Sequence, residues 1–371
     1  MRRAATYLIE GIFAVLAALI LAVIFIQDFR FFVMPESFVV KLYIYSSLGL
    51  VIAIAFTIAA GRIKEASMAQ EKGVFHYIQI FLGFLWVIDG ILQIQPEMSF
   101  GFVSFVINPA VSQSPALIGQ TLRPAIEIWL SHPVFLDALS GSGQIFIGIG
   151  VLAYRSGRRL RIFLWISLLW SLYLWILGEA FGGIFAKGAS YITGFPGSAL
   201  IYAVISIFLI SYSDTGALKR DIAVFMAGLF TISTVLQAIP QYGFWKVENL
   251  FNVPSALVIN QQPRILSEWL RAISLSFYYN HLVWNLAFVA TMAAISILWV
   301  LRPRISALLT IMFSMFVWFV GQDFGVLGGY GTDPNTALPV ILLAFVFLLH
   351  ERIYVRSDML QFDSSRVDQK I

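Results

Sequence analysis

Long apolar runs separated by short polar breaks organise this chain. Stretches of roughly 17–25 apolar residues, the length that crosses a bilayer, recur at 8–26, 39–60, 75–95, 134–154, 160–181, 196–212, 221–243, 279–301, 304–326 and 336–352. None alternates apolar with polar residues as a barrel strand does, so each is predicted to be a helix. The expected fold class is all-α integral membrane, with about ten transmembrane helices. No small-residue cleavage site follows the first run, which reads as a retained anchor and not a signal peptide.

Composition agrees with lipid as the main solvent. Hydrophobic residues make up 59% of 371 positions and charged residues 12%, against roughly 25% charge in a soluble domain. The expected partner is the lipid bilayer, and the aromatic-rich surface also suits partner membrane subunits. No nucleic-acid partner is expected from the formal charge of +4, because the positions of the basic residues carry the meaning. Of 24 Lys and Arg, 17 fall before span one, after every even-numbered span and in the tail, and 7 fall in the alternate segments. The positive-inside bias then sets both termini in the cytoplasm of a cell-membrane protein. The absence of cysteine excludes disulfides, thiolate metal sites and cysteine nucleophiles.

The chain also repeats itself. An offset of 143 pairs Arg161 with Arg304, Ser171 with Ser314, Trp175 with Trp318, Gly178 with Gly321, Phe181 with Phe324, Gly182 with Gly325, Gly188 with Gly331 and Pro196 with Pro339. Upstream, Leu92-Gln93 matches Leu236-Gln237 at an offset of 144, and Arg123/Glu127 matches Arg264/Glu268 at 141. An N-terminal two-helix hairpin at 1–60 would precede four-helix repeats at 75–212 and 221–352 and a cytoplasmic tail at 353–371. Four spans per unit is an even number, so the repeats run in parallel about an axis along the membrane normal.

Unusual residues collect at the outer helix ends. Gly178-Glu179-Ala180-Phe181-Gly182-Gly183 answers Gly321-Gln322-Asp323-Phe324-Gly325, and Gly331-Thr332-Asp333-Pro334-Asn335 follows. An acid beside an apolar helix is costly unless paired or hydrated, so these segments read either as a vestibule or as glycine-stopped helix ends. Asp89 and Gln93 lie four apart, on one helix face. The candidate substrate- or ion-binding set is Asp89, Gln93, Glu179, Gln237, Gln322, Asp323 and Asp333. Its acids are unequal: Ser233 stands where the first half has Asp89, and Gln322 where it has Glu179. The outer segments 97–133 and 244–278 are read as interfacial amphipathic helices whose Arg/Glu pairs form either solvated ion pairs or a lid. Small residues Ser140, Gly141, Ser142, Gly143 and Gly150 suit close helix packing.

No cofactor is expected. A b-type haem would need His132 with His281, or His76 with His350, at matched depth, and neither pair recurs in the repeats. Copper through His and Met lacks a ligand motif, and no metal site is expected. No nucleotide-binding or hydrolase motif occurs. The run from Phe84 to Gly90 with Leu92-Gln93 and Pro96-Glu97-Met98, together with Gly178-Glu179, Gly182-Gly183 and Gly321-Gln322, resembles motifs of uncharacterised polytopic membrane proteins common in actinobacteria. That resemblance covers most of 75–345, implies the polytopic fold and implies no activity. Three classes stay open: a secondary transporter or channel, a non-catalytic subunit of a respiratory or metal-handling complex, and an outer-leaflet enzyme acting on lipid or quinone.

Overall fold

The computed structural model describes residues 73–95, 98–112, 114–212, 215–260, 262–327 and 330–349. The expected spans at 8–26 and 39–60, the hairpin at 1–60 and the tail at 353–371 lie outside these. Among the described residues every regular element is helical: α1 Gly73–Gln93, α2 Ala116–Ser131, α3 Pro133–Ala153, α4 Gly157–Leu177, α5 Ser198–Ser211, α6 Thr215–Ala238, α7 Val247–Leu257, α8 Arg264–Tyr279, α9 His281–Leu301, α10 Pro303–Val320 and α11 Ala337–Leu349. A short irregular stretch between α1 and α2 runs Met98–Gly101, Phe102–Ile107 and Asn108–Ser112, with a π-helical middle.

Six helices (α1, α3, α4, α6, α9 and α10) are long and apolar enough to cross a membrane, which marks this as a membrane protein. Two further runs are apolar but short. Helix α5 has 14 residues, or about 21 Å at 1.5 Å per residue, against a hydrocarbon core of roughly 30 Å. The run at 196–212 is shortened because Pro196 and Gly197 delay the helix start. α11 begins at Ala337, where its run was expected, and is described as far as Leu349, where the described residues end.

Helix α1 is the axis of the molecule, with 94% of its apolar window buried against 22–50% for the other five long helices. Glycines let α3 reach it. A Cβ at Gly90 would come within 2.5 Å of the Gly141 carbonyl, and one at Gly148 within 2.6 Å of the Gly83 carbonyl. These glycines recur at seven-residue spacing on both helices, so the two backbones touch along a seam that any side chain would prise open. Of the small residues expected to allow close helix packing, Gly141 meets α1 and Gly150 meets Phe163 of α4, while Gly143 faces open space. Large apolar side chains stand exposed on the outward faces, including Phe146 on α3, Trp165 and Leu169 on α4, and Ile297 and Val300 on α9. Water would penalise such surface; lipid does not.

Candidate functional site

Two irregular segments, one after α4 and one after α10, shape the site. Ala180 (φ 46°), Phe181 (φ 63°), Gly182 and Gly183 are left-handed, and so are Asp323 (φ 48°), Phe324 (φ 58°) and Gly325. The left-handed conformation costs a non-glycine residue roughly 1–2 kcal/mol and persists where surrounding contacts over-determine it. Those contacts are the same in both places. The Trp175 indole donates to the Pro196 carbonyl at 2.9 Å and meets Phe181 edge-on. The Trp318 indole donates to the Pro334 carbonyl at 2.7 Å and meets Phe324 edge-on. Gly182 has no room for a Cβ against the Pro196 carbonyl, nor Gly325 against Asp333 and Pro334.

These bonds correct one pairing drawn from sequence. Pro196 corresponds to Pro334 and not to Pro339, since 21 residues separate it from Trp175 and 16 separate Pro334 from Trp318. The second loop is shorter by five residues. Gly197 (φ 92°) and Asn335 (φ 61°) then occupy matching left-handed positions.

The loops also reach across the molecule. Ser190 donates to Gln237 of α6, the Tyr191 hydroxyl shares a 2.6 Å hydrogen bond with Ser314 of α10, and Thr336 donates to the Gly194 carbonyl. In return, Gln95 donates to the Gly331 carbonyl at 3.3 Å and Tyr330 stacks on Phe105.

A cavity of about 1070 Å³ opens where these segments meet, and Asp89, Gln93, Glu179 and Asp333 all line it. Asp89 comes from α1 and accepts from the Tyr202 hydroxyl of α5 at 3.2 Å. Glu179 Oε1 accepts from Ser198 Oγ at 2.9 Å and from the Ala199 amide at 3.1 Å, while Oε2 is buried without a partner. Gly197 packs directly on that carboxyl group. Asp333 accepts from Thr332 Oγ1 at 3.0 Å and from the Asn335 amide at 2.7 Å. Burial, reinforced by the negative charge of Asp333, pushes the Glu179 carboxyl up to about 8, although the donors from Ala199 and Ser198 oppose the shift. Burial raises Asp333 as well. Among the described residues no Lys, Arg or His forms an ion pair with these three acids.

The other candidates sit elsewhere. Gln237 donates to Asn285 at 2.6 Å, as Gln93 does to Asp137 at 2.7 Å, but it lies in a closed core. Gln322 is fully used, donating to the Tyr191 carbonyl and accepting from the Ala337 amide. Asp323 accepts from Asn260 at 2.7 Å away from the cavity, and burial raises its carboxyl to about 6. Arg264 and Glu268 form the expected exposed ion pair at 2.7 Å. His132 and His281 stand at helix boundaries outside the cavity.

The cavity also has walls that sequence reasoning missed. Gln144 of α3 is buried, lines the cavity and leaves Oε1 without a partner. Ser198 and Tyr202 hold the acids, yet a serine at a helix start and one tyrosine among 14 carry no distinguishing signal. Among the described residues no three His, Asp or Glu side chains stand close enough to share a metal ion. Comparison with family models, curated proteins and solved structures finds no match. The motif resemblance therefore assigns the chain to no family.

Proposed function

We propose that this protein is a secondary transporter or channel of the cell membrane whose substrate or coupling ion occupies the acid-lined cavity. In this reading ten helices form two parallel four-helix repeats behind an N-terminal hairpin. Both termini are cytoplasmic and the cavity faces the extracytoplasmic side. The matched Trp–carbonyl bonds, left-handed runs and Gln93–Asp137 and Gln237–Asn285 pairs support the duplication.

The observation that carries the reading is the convergence of Asp89, Glu179 and Asp333 on one cavity, with no ion pair to any of the three among the described residues. Like charges in a low-dielectric space require protons or a bound cation to be stable. A group that needs such an occupant, beside a cavity, can couple its binding to a change of state. Irregular backbone at membrane depth is also tolerated where it lines a wet cavity, which suits the segments after α4 and α10.

The test is flux. Purified protein in proteoliposomes, challenged with amines, carboxylates and sugars on a solid-supported membrane, should give charge movement with at least one solute. Glu179→Gln should abolish or severely reduce it. Correctly inserted wild-type protein that moves none of these solutes would sink the transport reading.

A further inference from the structure

We propose that the cavity takes an organic cation, a protonated amine carried on an apolar body. This inference rests on the reading of the cavity as a ligand site and names the ligand's chemistry.

Beside the acids the wall has unmatched acceptors, and the nearby donors are engaged. Among the described residues two buried polar atoms of the lining are without partners, Gln144 Oε1 and Glu179 Oε2; the first accepts, and the second accepts once the Glu179 carboxyl ionises, the form a neighbouring ammonium favours. Donors beside the acids are already engaged: Tyr202 with Asp89, Ser198 and Ala199 with Glu179, Thr332 and Asn335 with Asp333. A buried acceptor left unmatched costs about 1–3 kcal/mol, so a ligand that brings N–H groups gains what the empty wall forgoes. A ligand offering only acceptors would add to the mismatch.

Size and charge narrow the class. Among the described residues no three acids cluster tightly enough for a metal ion, yet Asp89, Glu179 and Asp333 face one space. At about 1070 Å³ that space has the volume of an organic-ligand pocket, typically ~300–1,000 Å³, and not that of an ion. Phe105, Leu174 and Tyr330 add accessible apolar surface to the wall, giving both apolar contact and aromatic rings that attract a desolvated ammonium. The lining's two lysines, Lys187 and Lys246, stand exposed, where water screens them.

The test compares isosteres on the full-length purified protein at pH 7. 2-Phenylethylamine, 2-phenylethanol, phenylacetate, sodium chloride and calcium chloride would each be titrated by calorimetry and thermal shift. The expected result is that the amine binds at least about tenfold more tightly than the alcohol, a difference of about 1.4 kcal/mol, and that phenylacetate does not bind. Gln144→Leu and Asp89→Asn should each weaken the amine by about tenfold, and Gln144→Glu should strengthen it. Equal binding of alcohol and amine, preference for phenylacetate, or occupancy by sodium or calcium without the amine would overturn the proposal. The wild-type comparison decides even if a variant fails to fold. Amine binding without flux would remove transport and leave the ligand class standing. Flux of an anion or sugar would do the reverse.

Discussion

At the scale of single residues, Glu179 differs from the other polar groups of its segment because one oxygen is satisfied and the other is not. Its carboxyl is raised to about 8 in the folded protein from an ordinary value of 4.5, chiefly by burial. The unfolded chain thus releases its proton first as pH rises, so the folded state binds more protons between those values and stability falls across that window. Wild type should melt at a higher temperature at pH 5 than at pH 8.5. Glu179→Gln should flatten that dependence while matching wild type at the acid end, as differential scanning fluorimetry in detergent would reveal. A wild-type melting temperature that rises toward pH 8.5 would contradict the assignment. Asp89 and Glu179 were legible because an acid in an apolar run is conspicuous. Gln144 was not, since an amide at that position reads equally well as a helix-packing polar residue. Gln237, Gln322 and Asp323 were conspicuous for the same reason as Glu179. They are polar because they fasten loops to helices, a role that spacing alone does not separate from binding.

At the scale of elements, the recurring unit is a long helix that ends in a left-handed run, held by an indole bond to the following loop. The six long helices were legible from apolar length, and the two matching helix ends from Trp, Gly and Phe coincidences. The loop register was not, because a five-residue difference lies in a glycine-rich stretch where chance matches are easy, and only the Trp318–Pro334 bond fixes it. Gln322 shows why the two units cannot carry the same acid. Its amide donates to a loop, at the Tyr191 carbonyl, and accepts from the start of α11, at the Ala337 amide. Gln322→Leu strands both backbone groups and should cost roughly 2–4 kcal/mol. Gln322→Glu keeps the acceptor but sets a carboxylate against the Tyr191 carbonyl, so its loss should be larger at pH 8 than at pH 5, where the protonated acid can donate. Chemical or thermal denaturation of the two variants checks both, and an isoleucine-like tolerance of Leu at this position would show that the loops are held by other contacts.

At the scale of the whole molecule, the proposed outward opening of the cavity rests on an even span count and on the clustering of basic residues. Arg158 stands in the first turn of α4 and Lys187 follows its far end, so the two residues lie at opposite ends of one candidate span, and both are exposed. The chain contains no cysteine, so single-cysteine variants report position without background. Lys187→Cys should react with a membrane-impermeant maleimide added to intact cells, and Arg158→Cys only after the membrane is opened. The reverse pattern would turn the cavity toward the cytoplasm, leaving its chemistry intact but reversing the direction of uptake. Labelling of both variants in intact cells would mean that α4 does not cross the bilayer, and the count of ten spans would fall with it. The experiment also bears on the acids: Lys187 lines the same cavity as Glu179. Protection of Lys187→Cys by 2-phenylethylamine but not by phenylacetate would tie the side on which the cavity opens to the ligand that enters it.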